Sequence, residues 1–166
     1  MQIYIIRHAI AELREAWEQP DEARPLTQAG RKKMKRIARG LARLGVKLSQ
    51  LYSSPLVRAQ QTAEILQAQF QLKSTAQTPL LVPEANPADI IPWLNEHTEN
   101  VALALVGHEP HVSALLAYLL TGQTRAPMPF KKGGVALLEA NRPVVAGQCA
   151  LRWLLEPRAL AMLGEK

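Results

Sequence analysis

Apolar and polar positions along this chain fall into blocks of two kinds. Short runs rich in β-branched and aromatic residues, at 3–6, 51–53 and 101–106, read as buried strands. Longer stretches carry apolar residues three and four apart. In the clearest of these, Met34, Ile37, Ala38, Leu41 and Leu44 share one face, so a helix is expected over 28–44, capped by Thr27 and stopped at Gly45. Ser54 and Pro55 read as the N-cap and first-turn proline of a second helix that reaches Phe70. Residues 80–82 read as a short strand, 87–96 as a helix disturbed by Pro92, and 110–120 as an apolar helix ended by Gly122. Strands at 135–139 and 150–155 form a closing hairpin around 141–147, and 158–163 form a terminal helix.

Strands alternating with helices predict an α/β fold, a three-layer sandwich with helices on both faces of a central sheet. The final hairpin makes that sheet mixed, though mainly parallel. With 166 residues and no repeat or linker, the chain is expected to be a single domain over 1–166. The connection 9–25 is long for a compact domain, and such loops are usually functional.

Composition narrows the function. A hydrophobic share of 48% and a mean hydropathy of −0.08 place the chain among soluble globular proteins. No apolar run approaches the ~18 residues of a membrane span, and the start shows no secretory-signal pattern, so no membrane partner and a cytoplasmic location are expected. The lone cysteine, Cys149, excludes an intrachain disulfide and reads as a small core residue. A net charge of +6 points to an anionic substrate or partner. Nucleic acid is not expected, because aromatics are scarce and no recognition motif accompanies the charge. The basic run over 31–43 lies largely off the apolar stripe. It reads as a solvated face, with a docking surface for an acidic protein as the alternative.

Chemistry concentrates at three strand–loop–helix junctions. Arg7-His8 ends the first strand, Arg58 opens the helix after the second, and Gly107-His108 ends the strand at 101–106. Ligands of open α/β sheets bind at the carboxyl ends of strands, and helix N-termini favour anions. If the three strands are neighbours, two arginines and two histidines converge into a phosphate site that contains a nitrogen nucleophile. Elsewhere, His108-Glu109-Pro110-His111 lacks the spacing that aligns two metal ligands on a helix, so no metal is expected. His111 is expected to border the pocket and His97 to lie at the surface. Arg24 is read as a buttress of the site or a substrate contact, with a loop salt bridge as the alternative. Residues 131–134, two lysines and two glycines, read as an ordinary turn, the alternative being an anion cradle.

At these positions the chain resembles the histidine phosphatase superfamily, the phosphoglycerate-mutase-like enzymes. Arg7-His8-Ala9 stands where the family has Arg-His-Gly. Leu26-Thr27-Gln28-Ala29-Gly30, the tract from Ser53 through Arg58 to Ala63, and Gly107-His108 match its further motifs in order. The shortness of the chain, Arg24-Pro25-Leu26-Thr27, Leu81-Val82-Pro83-Glu84 and His108-x-Pro110 resemble the compact, SixA-type protein-phosphohistidine phosphatases. The resemblance implies that His8 attacks phosphorus and is transiently phosphorylated, and that Arg7, Arg58 and His108 hold the phosphoryl oxygens. It also implies that Glu84 is the general acid and that no metal or cofactor is needed. The implied partner is a phosphohistidine-bearing protein domain, with inorganic phosphate as product. A small-molecule phosphomonoesterase and a non-catalytic phosphate-binding module are the alternatives. Ala9, in the place of the usual glycine, requires an ordinary backbone conformation there.

Overall fold

Six strands pair into one sheet in the computed structural model, which describes residues 1–97, 101–125 and 128–165. They are β1 (Gln2–Arg7), β2 (Gln50–Ser53), β3 (Ala76–Gln77), β4 (Ala102–Gly107), β5 (Val135–Glu139) and β6 (Ala150–Leu155). Their order across the sheet is β3-β2-β4-β1-β5-β6. β1, β2, β3 and β4 run parallel, and β5 runs against both of its neighbours. The sheet is therefore mixed and mainly parallel, as expected.

Alternation along the strands builds two apolar layers. Tyr4 and Ile6 of β1, with Ala104 and Val106 of β4, pack against α1 (Gln28–Arg43), α2 (Val57–Phe70) and α5 (Pro157–Leu163). Ile3 and Ile5, with Leu103 and Leu105, face α3 (Ile90–Glu96) and α4 (His111–Thr121). A strand covered on both faces must be apolar at every position, which is why β1 and β4 read as continuous runs. Among the described residues no helix is long and apolar enough to cross a membrane.

Register sets the site. Arg7 pairs with Gly107, and Ser53 with Val106, so β1, β2 and β4 end level with one another. β5 runs the other way, and Val135 at its start pairs with Ile6. The segment leading into β5 therefore arrives at the same end of the sheet.

Three expectations need correction. Residues 80–82 are not a strand. Pro79–Leu81 form a 3-10 turn, with the Thr78 hydroxyl accepting from the Leu80 amide at 3.3 Å. Prolines at 79 and 83 bracket the segment and cannot donate to a ladder. The edge strand is β3, just before it. Ser54 and Pro55 do not cap α2, which starts at Val57; the Ser54 hydroxyl instead accepts from the Leu56 amide in the approach turn. The helix expected over 87–96 is divided into a 3-10 turn, Pro87–Asp89, and α3, where Pro92 sits in the first turn and is tolerated. The long connection 9–25 holds two 3-10 turns, Arg14–Ala16 and Asp21–Ala23.

Candidate active site

The level strand ends bring Arg7, His8, Arg58 and His108 together. The His8 and His108 rings stand 4.9 Å apart, centre to centre. Backbone bonds lock the end of β1 in place. The His8 amide donates to the Gly107 carbonyl at 3.0 Å, and the Gly133 amide donates to the carbonyls of both Arg7 and His8 at 3.1 Å. Gly133 reaches that position with φ +85°, where a side chain would be strained and would meet Ile37.

His8 is buried, and its Nδ1 lies 2.7 Å from the Ala9 carbonyl. A carbonyl only accepts, so Nδ1 carries the proton and Nε2 keeps its lone pair. Burial is the main reason the ring's pKa falls from 6.5 to about 3. The charges of Arg58, Arg7 and Lys132 add to that fall, against the bond to Ala9. Ala9 fits its place: its amide donates to the Thr62 hydroxyl at 3.0 Å, and that hydroxyl donates to the Arg58 carbonyl at 2.7 Å. Thr62 thus ties the His8 segment to the first turn of α2. Among the described residues the only non-glycine with positive φ is Gln71, so Ala9 has the ordinary backbone expected of it.

The cations are held from behind. An Arg7 terminal nitrogen donates to the Phe130 carbonyl at 2.5 Å. The Phe130 amide in turn donates to the Glu109 carboxylate at 2.7 Å, which also accepts from Ser113. Arg58, 4% exposed, donates one terminal nitrogen to the Asp21 carbonyl at 2.8 Å and the other to its carboxylate at 2.9 Å. Burial pulls Asp21 upward, but the Arg24 hydrogen bond and the charges of Arg58 and Arg24 outweigh it and hold the carboxyl below its usual range. Both guanidiniums keep a buried Nε without a partner among the described residues, as do both ring nitrogens of His108 and of His111. Buried donors left open in this way suit an anion. Burial drives His108 down to about 2, with His8 and Arg58 adding, and His111 down to about 4, so all three rings are neutral near pH 7.

The remaining candidates divide. Arg24 does not stand alone: its Nε donates to Asp21 at 2.7 Å and a terminal nitrogen to the Glu12 carbonyl at 2.7 Å, which links it through Asp21 to Arg58. Glu84 is exposed in the turn that follows Leu81, whose backbone abuts Gly107. Among the described residues it makes no hydrogen bond or ion pair. The turn at 131–134 is present, yet its two lysines differ. Lys131 pairs with Glu156 at 2.8 Å in the open, while Lys132, next to the Gly133 amide that bonds the Arg7 and His8 carbonyls, is pushed down by burial and by the charges of Arg7, Arg24 and Arg58. His97 is half-buried rather than a surface group, in a cluster of three edge-on rings with Tyr52 and Trp93, which also touch each other. Cys149 is a buried free thiol. Among the described residues no three His, Cys, Asp or Glu side chains are grouped to hold a metal ion.

Asp21 is the residue that sequence reasoning missed. Its signals were faint: a carboxylate three residues before Arg24, and a cluster of buried cations with no counter-charge assigned. The assembled site is a neutral imidazole with an open nitrogen beside the half-buried guanidinium of Arg7 and the buried one of Arg58, groups suited to holding a phosphoryl and attacking its phosphorus.

The chain is similar in sequence and fold to known proteins. The Histidine phosphatase superfamily (branch 1) matches residues 3–81. The phosphohistidine phosphatase SixA of Escherichia coli is 32% identical over 165 residues, covering 98% of each chain. An uncharacterized protein of Picosynechococcus is 34% identical over 143 residues, covering 85% of this chain and 86% of its own. A solved structure of the protein histidine phosphatase SixA complexed with tungstate superposes with a TM-score of 0.83 at 32% identity, over 96% of this chain and 99% of its own.

Proposed function

The chain belongs to the histidine phosphatase superfamily and is a phosphatase, and from that premise we propose that it removes phosphate from a histidine of a signalling or phosphotransfer protein. In this reading the neutral Nε2 of His8 attacks phosphorus while the bond from phosphorus to the substrate imidazole breaks. Water then attacks the phosphorylated His8, the new bond breaks, and inorganic phosphate leaves. Arg7, Arg58 and His108 hold the phosphoryl oxygens, and the arginines balance the charge. Arg24 acts through Asp21 on Arg58. No cofactor or metal enters the scheme. The single cysteine fits a reducing, cytoplasmic setting.

One observation carries the choice of substrate. Glu84, the residue available as general acid, is exposed and bonded to nothing among the described residues. An alkoxide leaving group needs a proton in the transition state. A phosphohistidine ring that already carries a proton on its other nitrogen leaves as neutral imidazole, whose protonated form has a pKa of about 6.5, and needs no further proton from an enzyme acid. A site with a loosely held acid therefore suits a phosphoramidate better than a phosphate ester. The similarity to SixA supports the same choice, and the tungstate of the matched structure is a tetrahedral oxyanion of phosphate-like shape.

The test is turnover of a phosphohistidine-bearing domain, a sugar phosphate and an aryl phosphate by wild type, His8→Ala and Glu84→Gln. His8→Ala should abolish all three activities. Wild type quenched during turnover should carry an acid-labile phosphoryl group that the variant lacks. Glu84→Gln should impair the sugar phosphate most and phosphohistidine least. A wild type that prefers the sugar phosphate is a small-molecule phosphomonoesterase. Activity retained in His8→Ala removes His8 as nucleophile.

A further inference from the structure

The chain's positive charge is concentrated on one helix. α1 carries seven basic residues between Arg31 and Arg43 and no acidic one, which leaves 13 basic against 14 acidic side chains elsewhere. Part of this charge serves the fold. Arg39 and Arg43 donate to the Gly164 and Leu163 carbonyls at the end of α5, and Arg36 pairs with Glu165 at 3.4 Å. Lys32 and Lys33 have no such task among the described residues. With Arg36 and Arg158 they line a groove of about 570 Å³ between α1 and α5, whose apolar lining is Ala29, Ala161 and Met162. Met162 is 61% exposed, and Glu165 is the sole acidic group in the lining.

Solvation alone accounts poorly for such a face. Like charges four apart, as at Arg31 and Lys35 or Lys32 and Arg36, weaken a helix. Cations near its start oppose the helix dipole, and the first turn has no acidic residue to compensate. An anionic partner would relieve both strains. The two helices that form the groove are also tied at their starts to the segments around His8. At the head of α1, the Thr27 amide donates to the Ile10 carbonyl, and Gly30 lies so close to that carbonyl that a Cβ would stand 2.0 Å from it. At the head of α5, Pro157 abuts Gly133, whose amide holds the His8 carbonyl.

We propose that the α1–α5 groove docks an acidic face of the phosphorylated protein substrate, with carboxylates against Lys32, Lys33, Arg36 and Arg158 and an apolar side chain against Met162. The inference rests on the phosphohistidine-protein reading. It adds that the enzyme recognises its partner by charge outside the reaction centre, where opposite potentials steer encounter and fix orientation.

The experiment compares wild type with the triple variant Lys32→Glu, Lys33→Glu and Arg158→Glu. Substrates are an acidic and a basic phosphohistidine-bearing phosphotransfer domain and p-nitrophenyl phosphate. For the acidic domain, KM should rise by about tenfold or more with kcat little changed, and wild type should lose its preference for that domain as salt is raised. Kinetics on p-nitrophenyl phosphate should not change. The neutral variant Lys32→Gln, Lys33→Gln and Arg158→Gln should fall between the two, which guards against a fold damaged by charge reversal. An unchanged KM for the acidic domain overturns the docking site and leaves the phosphohistidine reading standing, as does an equal loss on p-nitrophenyl phosphate. A wild type that turns over neither domain removes that reading and the docking site together. Tight binding of RNA or DNA that only the variant loses, with KM unchanged, makes the groove a nucleic-acid surface.

Discussion

The molecule holds positive charge in two places and in opposite ways. At the strand ends, Arg7 and Arg58 are desolvated, each is fixed from behind by a carbonyl or carboxylate, and each keeps a buried nitrogen open. On α1 the cations are more numerous, mostly exposed, and held by little more than the ends of α5. Number of charges and strength of charge are therefore separate properties. Exposed ion pairs are worth roughly 0–1 kcal/mol because water and salt screen them. A preorganised donor in a dry site stabilises a transition state by about 2.7–4 kcal/mol. The cage suits chemistry, and the helix suits encounter.

The comparison breaks most visibly if the two kinds of cation prove interchangeable. Arg58→Ala should lower kcat/KM by about two to three powers of ten on every substrate. Arg58→Lys should recover little of it, because an ammonium lacks the planar fork that Asp21 orients. Lys35→Ala, on the exposed face of α1, should leave p-nitrophenyl phosphate kinetics untouched. Wild-type-like turnover in Arg58→Lys would show that the cage works by charge alone.

A smaller effect tests whether the cage depends on its backing. Asp21→Asn keeps the shape but removes the charge that orients Arg58, and kcat should fall by about tenfold, as for a small misplacement of a catalytic group. Inhibition by inorganic phosphate should not weaken, since a negative charge beside the anion is removed. An unchanged kcat would mean that Arg58 is held well enough by the Asp21 carbonyl and its helix.

The smallest expected change is a flat line. His8 and His108 are neutral because they are buried, with pKa values near 3 and 2. Their ring resonances in NMR should stay constant from pH 8 to pH 5. A midpoint near 6.5 for His8 would show that water reaches the ring and that the cage is as wet as the helix face. The sign for stability follows. Each ring has a folded pKa below its unfolded value, so its contribution is full above about 6.5 and is lost as pH falls toward the folded values.

What could be read from the sequence was whatever is local. β1 and β4 declare themselves through unbroken apolar runs, and α1 through its period. Arg7, His8, Arg58 and His108 were legible because each stands within five residues of a strand end. Asp21 was not, because it gains meaning only from Arg58, 37 positions away, which the fold brings to it. Residues 80–82 look like a strand in hydropathy, but three residues are too few for a period to outvote two prolines. Lys131 and Lys132 are neighbours of one type. Only the arrival of their turn at the end of β1 separates a rim salt bridge from a cage cation.

The bond from His8 Nδ1 to the Ala9 carbonyl decides regiochemistry. With that nitrogen occupied, a phosphoryl group taken up by His8 has one place to go. On the proposed mechanism the adduct would be the 3-phosphohistidine isomer, joined through the ring position remote from the main chain, with the 1-isomer closed off by a single backbone oxygen.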